Sequence, residues 1–158
     1  MFIRSNFILI CTLFLSCSQA QNQSSKLEIE SIEQAILPAA EAQFNTLIEN
    51  LKAKRIALVA NQSSMVNNIH LVDTLFSLGL DIKCVFAPEH GFRGKHSAGE
   101  KVANDIDHKT GLELVSLYGK NKKPKPERLK DIDILIFDIQ DVGVRFYTYI
   151  STLHYVME

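Results

Sequence analysis

A carboxylate, an imidazole and a guanidinium stand close together at Glu89, His90 and Arg93, just past Pro88 and interleaved with Gly91 and Gly94. The apolar run Ile82 to Ala87 stops at that proline. A buried parallel strand that delivers polar side chains to the rim of a site has this form. The chemistry such a rim supports is proton transfer. Glu89 is a candidate general acid for a departing group, and burial beside a proline and an aromatic suits a carboxyl that must hold a proton. The structural alternative is an N-cap, or a surface carboxylate paired with Arg93. His90 suits a proton shuttle, a hydroxyl-binding partner or a metal ligand. The spacing of His90, His96, Glu100 and His108 matches no helical i, i+4 pair and no zinc pattern. No metal is therefore expected.

The same pattern recurs downstream. The run Ile132 to Ile139 spills into Asp138, Gln140, Asp141, Gly143 and Arg145. Strand alternation puts Asp138 and Gln140 on one side and Ile139 on the other. Asp138 and Asp141 are candidates for a second catalytic carboxylate, and Gln140 for a binding group. Arg145 with Tyr147 and Tyr149 suits an anionic, ring-shaped ligand, guanidinium to carboxylate and phenol to ring face. The alternative is an ion pair of Arg145 with Asp138 or Asp141, the tyrosines packing a helix. Asn61 and Gln62 end an earlier apolar run. They either bind a polar ligand or form a local turn with Ser63 and Ser64. No G-x-G-x-x-G follows that run, so neither a dinucleotide nor any other cofactor is expected.

Alternating elements must position these groups. Residues 31 to 50 carry a helical period broken at Pro38, which divides it into two short segments. Arg55 to Ala60 reads as a strand, and Ile69 to Leu78 as a helix stopped by Gly79. Ile82 to Ala87, Leu114 to Leu117 and Asp133 to Ile139 are further strands. Glu127 to Lys130 is a helical turn after Pro126, and a last helix begins at Phe146. Between Glu89 and Gly111 lies a long, polar, glycine-dotted excursion of the kind that carries function. The expected fold is α/β, a Rossmann-like, mainly parallel sheet flanked by helices. The final helix runs to Glu158 without a stop signal, so the expectation is an incomplete N-terminal portion of a longer protein.

The first residues read as an export signal, with Arg4 before the apolar core Phe7 to Leu15, too short to span a bilayer. Processing has two candidate forms. Lipidation at Cys17 would anchor the chain to a membrane, whereas cleavage after Ser18-Gln19-Ala20 would release it. Either way the expectation is an exported protein, periplasmic or membrane-anchored. The expected organisation is a signal over residues 1–20, a polar spacer and helical segment over 21–50, and the partial catalytic domain over 51–158. With 46% hydrophobic and 22% charged residues the composition is globular. A net charge of −1 gives no basis for binding nucleic acid. Cys84, alone in the mature domain, reads as a small buried apolar residue.

Six ordered motifs together resemble a bacterial family. They are Leu58-Val59-Ala60-Asn61-Gln62-Ser63, Ala87-Pro88-Glu89-His90-Gly91-Phe92-Arg93-Gly94, Ala98-Gly99-Glu100-Lys101-Val102, Lys109-Thr110-Gly111-Leu112, Ser116-Leu117-Tyr118-Gly119 and the stretch Phe137 to Tyr149. The family, long filed as a domain of unknown function, includes exo-acting β-N-acetylmuramidases. These release N-acetylmuramic acid from non-reducing ends of peptidoglycan fragments. The resemblance implies a Rossmann-like catalytic domain followed by a smaller auxiliary domain, with the site in the cleft between them. It also implies that Glu89 is the catalytic glutamate and that muramyl sugars are the substrate. Arg93 or Arg145 would then meet the lactyl carboxylate. Asp138 or Asp141 would activate water or attack, unless the substrate's own acetamido oxygen does so. A non-catalytic exported sugar- or wall-binding lipoprotein is the competing class, needing the arginine and tyrosines but not Glu89.

Overall fold

The computed structural model describes residues 36–95, 97 and 103–158. The candidate signal, Cys17 and the polar spacer lie outside the described residues. The compact unit begins at Pro38. Its helices are α1 (Ala39–Ala42), α2 (Phe44–Leu51), α3 (Leu71–Ser77), α4 (Pro126–Leu129) and α5 (Tyr149–Met157). Its strands are β1 (Ile56–Ala60), β2 (Met65–Val66), β3 (Ile69–His70), β4 (Ile82–Ala87), β5 (Asp105–Ile106), β6 (Glu113–Ser116) and β7 (Ile134–Asp138).

β1, β4, β6 and β7 are the parallel runs expected from the apolar pattern, and the sheet order is β5-β6-β4-β1-β7. β1 lies between β4 and β7 and is wholly buried. Its residues Ile56, Leu58 and Ala60 face one core with Leu71, Leu75 and Val85, against which Phe44, Leu47 and Ile48 of α2 also pack. Ala57 and Val59 face a second core with Phe86, Val115 and Leu117, joined by Leu129 at the end of α4 and Val156 of α5. Helices therefore cover both faces, which is why the strands read as continuous apolar runs without alternation. Each Leu, Val or Phe so buried contributes about 1.5–3 kcal/mol. A register shift beside Ile56 pairs it with Ile82 and Ala57 with Cys84, so Lys83 is an extra residue on β4. That bulge puts Ile82 and Cys84 on opposite faces despite equal parity.

β1 is pinned to β7 at its start. The Arg55 amide donates to Asp133 Oδ2 at 2.8 Å, and its guanidinium donates to Asp133 Oδ1 at 2.8 Å. At the other end the order reverses. The chain runs outward from β1 through β4 to β6, then returns across β1 to β7. Such a reversal opens a crevice at the carboxyl ends of the two strands, where α/β proteins bind ligands.

Three local expectations need correction. The helix expected over residues 69–78 starts at Leu71, because Ile69 and His70 pair antiparallel with Val66 and Met65. Asn67 and Asn68, at φ of 48° and 62°, make the two-residue turn that this hairpin requires. The excursion after Glu89 contains β5, antiparallel to β6. The helical segment assigned to residues 21–50 ends in α2, which packs on the sheet, so the α/β unit reaches back to Pro38 rather than starting at residue 51.

Candidate active site

Four strand ends converge on the crevice. After β1, Asn61 is buried and folds back on its own turn. Its Oδ1 accepts from the Ser63 amide at 2.8 Å and the Ser63 hydroxyl at 2.7 Å. Of the two readings left open for Asn61, the turn is formed. Asn61 and Gln62 line a cleft with Tyr149, whose pKa burial pushes up. The Ser64 hydroxyl donates to the Asp138 carbonyl, and the Gln140 amide donates to Ser63 Oγ at 3.1 Å, so the β1 and β7 ends are tied together.

Glu89 follows β4 and is half-buried. Its Oε2 accepts a 2.8 Å hydrogen bond from the Thr148 hydroxyl, just ahead of α5. Tyr118, beyond β6, lies close enough for the Glu89 carboxylate to raise the phenol's pKa. Glu89 thus ties the end of β4 to the segment ahead of α5, and neither an N-cap nor a pair with Arg93 describes it. His90 sits in the left-handed region at φ 69° and lines a cleft of about 370 Å³ with Asn61, Gln62, Gln140, Tyr147 and Tyr149. The edge of the Tyr147 ring meets Tyr149, with centroids 6.2 Å apart.

Arg93 does not face that cleft. Its guanidinium donates to Asp73 Oδ1 and Asp107 Oδ2, both at 2.8 Å, and its Nε to Asp107 Oδ1 at 2.8 Å. Arg93 holds Asp107 down at about 2. As a candidate for the substrate's carboxylate, Arg93 is therefore already committed to two buried carboxylates. Arg145 is the opposite case. It is exposed and, among the described residues, makes no ion pair with Asp138, Asp141 or any other acid.

The two aspartates also part company. Asp138 and Gln140 do not share a cleft, because β7 ends at Asp138 and the alternation ends with it. The Asp138 carboxyl lines a different cleft, with Ala39, Gln43, Leu47 and Asn50. Its Oδ2 is buried without a hydrogen-bond partner among the described residues, and burial raises its pKa. Asp141 is exposed in the following turn, its Oδ2 3.4 Å from the Gly143 amide.

Sequence reasoning passed over Thr148, the hydrogen-bond partner of Glu89, and Tyr118, its neighbour. The signal for Tyr118 was its place just past a strand end, the position that singled out Glu89. Thr148 had the weaker cue of a hydroxyl immediately ahead of a helix.

Comparison with known proteins agrees with this geometry. Residues 56–158 match the family described as exo-β-N-acetylmuramidase NamZ, N-terminal. The chain is 49% identical over 128 residues to the peptidoglycan β-N-acetylmuramidase NamZ of Bacillus subtilis (strain 168), covering 77% of this chain and 31% of that protein. The crystal structure of a DUF1343 family protein from Bacteroides fragilis NCTC 9343 aligns with TM-score 0.64 at 40% identity, over 74% of this chain and 29% of the other. A second DUF1343 protein of that strain aligns with TM-score 0.60 at 43% identity, over 73% and 29%. The chain spans about a third of the length of the curated relative it matches. With the Rossmann-like order of its strands, the Glu89 crevice and a match over most of its length, the chain belongs to the exo-β-N-acetylmuramidase NamZ family, through that family's N-terminal region.

Proposed function

We propose that the intact protein is an exo-acting glycosidase that releases N-acetylmuramic acid from the non-reducing ends of peptidoglycan fragments, with Glu89 as its general acid. One observation carries the assignment of Glu89. Its carboxyl group stands at the crevice end of β4, held by the Thr148 hydroxyl and close to Tyr118, beside the cleft that Tyr147 and Gln140 line. A general acid must keep one geometry while the leaving oxygen takes its proton, and the Thr148 hydroxyl, from a distant part of the chain, supplies that restraint. The name of the Bacillus subtilis relative supports the substrate class. Arg145, unpaired among the described residues, is the group we assign to the lactyl carboxylate. Asp138 lines another cleft, which favours Asp141 or the substrate's acetamido oxygen for the second role. We assign no cofactor to the reaction.

Glu89→Gln in the intact protein tests the acid. Turnover of an unactivated muramyl disaccharide should fall by about 10²–10⁴-fold. A nitrophenyl muramide, whose leaving group needs little protonation, should suffer far less. Full activity of Glu89→Gln on the disaccharide would remove Glu89 from the chemistry. If the wild type retained muramyl sugars and cleaved none, the protein would be the sugar-binding lipoprotein instead. Export rests on Arg4, the Phe7 to Leu15 core and the two candidate processing sites. Fatty-acid labelling at Cys17 separates the anchored form from cleavage after Ala20, and unprocessed protein in the cytosol would rule out both.

A further inference from the structure

We propose that Arg93 is a positioning residue for the reaction, a clamp that holds the segment 88–94 so that Glu89 stays aimed at the leaving group. The inference rests on the assignment of Glu89 above and goes beyond it.

Burial of Pro88 and Phe92 and the hydrogen bond of Thr148 to Glu89 hold part of the segment. Among the described residues it has no strand partner, and its own backbone hydrogen bonds are two turn contacts, Gly91 to the Pro88 carbonyl at 3.0 Å and Gly94 to the Gly91 carbonyl at 3.5 Å. Three of its residues, His90, Gly91 and Gly94, are left-handed, at φ of 69°, 78° and 66°. For His90 that conformation is intrinsically unfavourable and persists only where the surroundings impose it. Arg93 is the charged anchor on this segment. Its fork bridges Asp73, on the first turn of α3, and Asp107, just past β5. Both carboxylates are less than a tenth exposed. Thr110 donates its hydroxyl to Asp107 at 2.7 Å and Lys109 donates to Asp73 at 2.7 Å, so neither carboxylate is free to follow Arg93 if the segment shifts.

The clamp also reaches the other half of the crevice. The Arg93 guanidinium lies 4.6 Å from the Phe92 ring centre, and Phe92 meets the His70 ring edge-on at 4.6 Å. His70 Nε2 lies 2.9 Å from the Asn61 carbonyl. A side chain at Gly94 would place its Cβ 2.9 Å from Gln62. The Glu89 turn and the Asn61–Gln62 turn are therefore seated on one another, with Arg93 fastening the outer edge. A planar, bidentate guanidinium can bridge two carboxylates in this way, whereas an ammonium is a single point of charge.

Arg93→Lys and, separately, Asp107→Asn in the intact protein test the clamp. Displacement of a catalytic group by about 1 Å costs about 10²-fold in rate. Turnover of the unactivated disaccharide should fall on that scale, with KM within about threefold of wild type. The nitrophenyl muramide should be cleaved nearly normally, and the preference for muramyl over glucosaminyl substrates should persist. Combining Arg93→Lys with Glu89→Gln should add little to Glu89→Gln alone, because the two act as a unit. Amide hydrogen exchange over residues 89–94 should rise about tenfold or more, with the rest of the sheet unchanged. Equal losses on both substrates, a lost muramyl preference, or wild-type exchange in that segment would overturn the proposal. If Glu89→Gln itself shows no leaving-group dependence, the acid assignment fails, and the exchange result alone then decides the clamp. Asp107→Asn keeps the test alive should Arg93→Lys not fold.

Discussion

Arg145 and Arg93 show how one residue type takes two roles according to its surroundings. Arg145, exposed and without an acid partner among the described residues, is available to a ligand carboxylate. Arg145→Ala in the intact protein should erode discrimination between muramyl and glucosaminyl substrates by about 1.5–3 kcal/mol, the scale of a hydrogen bond to a charged group. Paired kcat/KM values on the two substrates measure this. His70 makes a prediction of its own. Its Nδ1 accepts from the Val72 amide at 3.2 Å, so Nε2 carries the proton that reaches the Asn61 carbonyl. Burial, chiefly, lowers its pKa in the folded state. The unfolded chain therefore binds the proton more readily. The stability that His70 contributes is complete above the ordinary imidazole pKa, about 6.5, and is lost as pH falls below it. Melting temperature should decline over that interval, and His70→Gln should flatten the slope. A wild-type slope preserved in His70→Gln would assign it elsewhere.

At the scale of elements, β7 carries an opposite linkage. Asp138 is raised by burial, so the folded state binds its proton more readily than the unfolded chain does. Its contribution is greatest at low pH and is lost as pH rises through the folded value. Asp138→Asn should therefore raise the melting temperature at neutral pH and do little in acid. Relief of an unpartnered buried carboxyl oxygen is worth on the order of 1 kcal/mol, reduced where water reaches the rest of the group. Activity retained in Asp138→Asn would confirm that the second catalytic role lies elsewhere, and a large loss would return Asp138 to it. In β4, Cys84 lies in the second core and burial pushes its thiol up to about 11. The folded protein should resist alkylation at Cys84 at pH 8, because the thiolate is scarce as well as shielded. Rapid labelling under native conditions would mean that this core opens readily.

For the molecule as a whole, the exposed surface is the telling feature. β7 pairs with β1 along one edge, and among the described residues its other edge has no partner. Its residues are only half-buried, whereas those of β1 are wholly so. Val142, Phe146, Ile150 and Met157 lie exposed on the segments that follow. An open parallel edge beside uncovered apolar side chains recruits other chains. The 158-residue chain expressed alone, without its first twenty residues, should self-associate in a concentration-dependent way. Light scattering and sedimentation measure this. A monomer with a sharp two-state melt at all concentrations would show that the β7 edge needs no cover.

The amino-acid sequence by itself determined the parallel strands, because a strand covered on both faces must be apolar throughout, as Ile56 to Ala60 and Ile82 to Ala87 are. It also determined that Glu89 stands at a strand end, because Pro88 and Gly91 leave the chain nowhere to continue the ladder. The family was legible for a related reason: four of its six motifs sit at the carboxyl ends of β1, β4, β6 and β7. The small elements β2, β3 and β5 were not legible. Two-residue strands carry no periodicity, and only the turn at Asn67 and Asn68 marked one of them. The roles of like residues were decided by tertiary structure alone. Arg93 and Arg145 differ because Asp73 and Asp107, distant in sequence, close on one and no acid among the described residues closes on the other. Asp138 left the Glu89 crevice because it shares the face of Ile134 and Ile136 in β7, the face that α2 covers. Charge, reach and burial belong to pairs of residues, and pairs brought together by the fold have no spacing to be read along the chain.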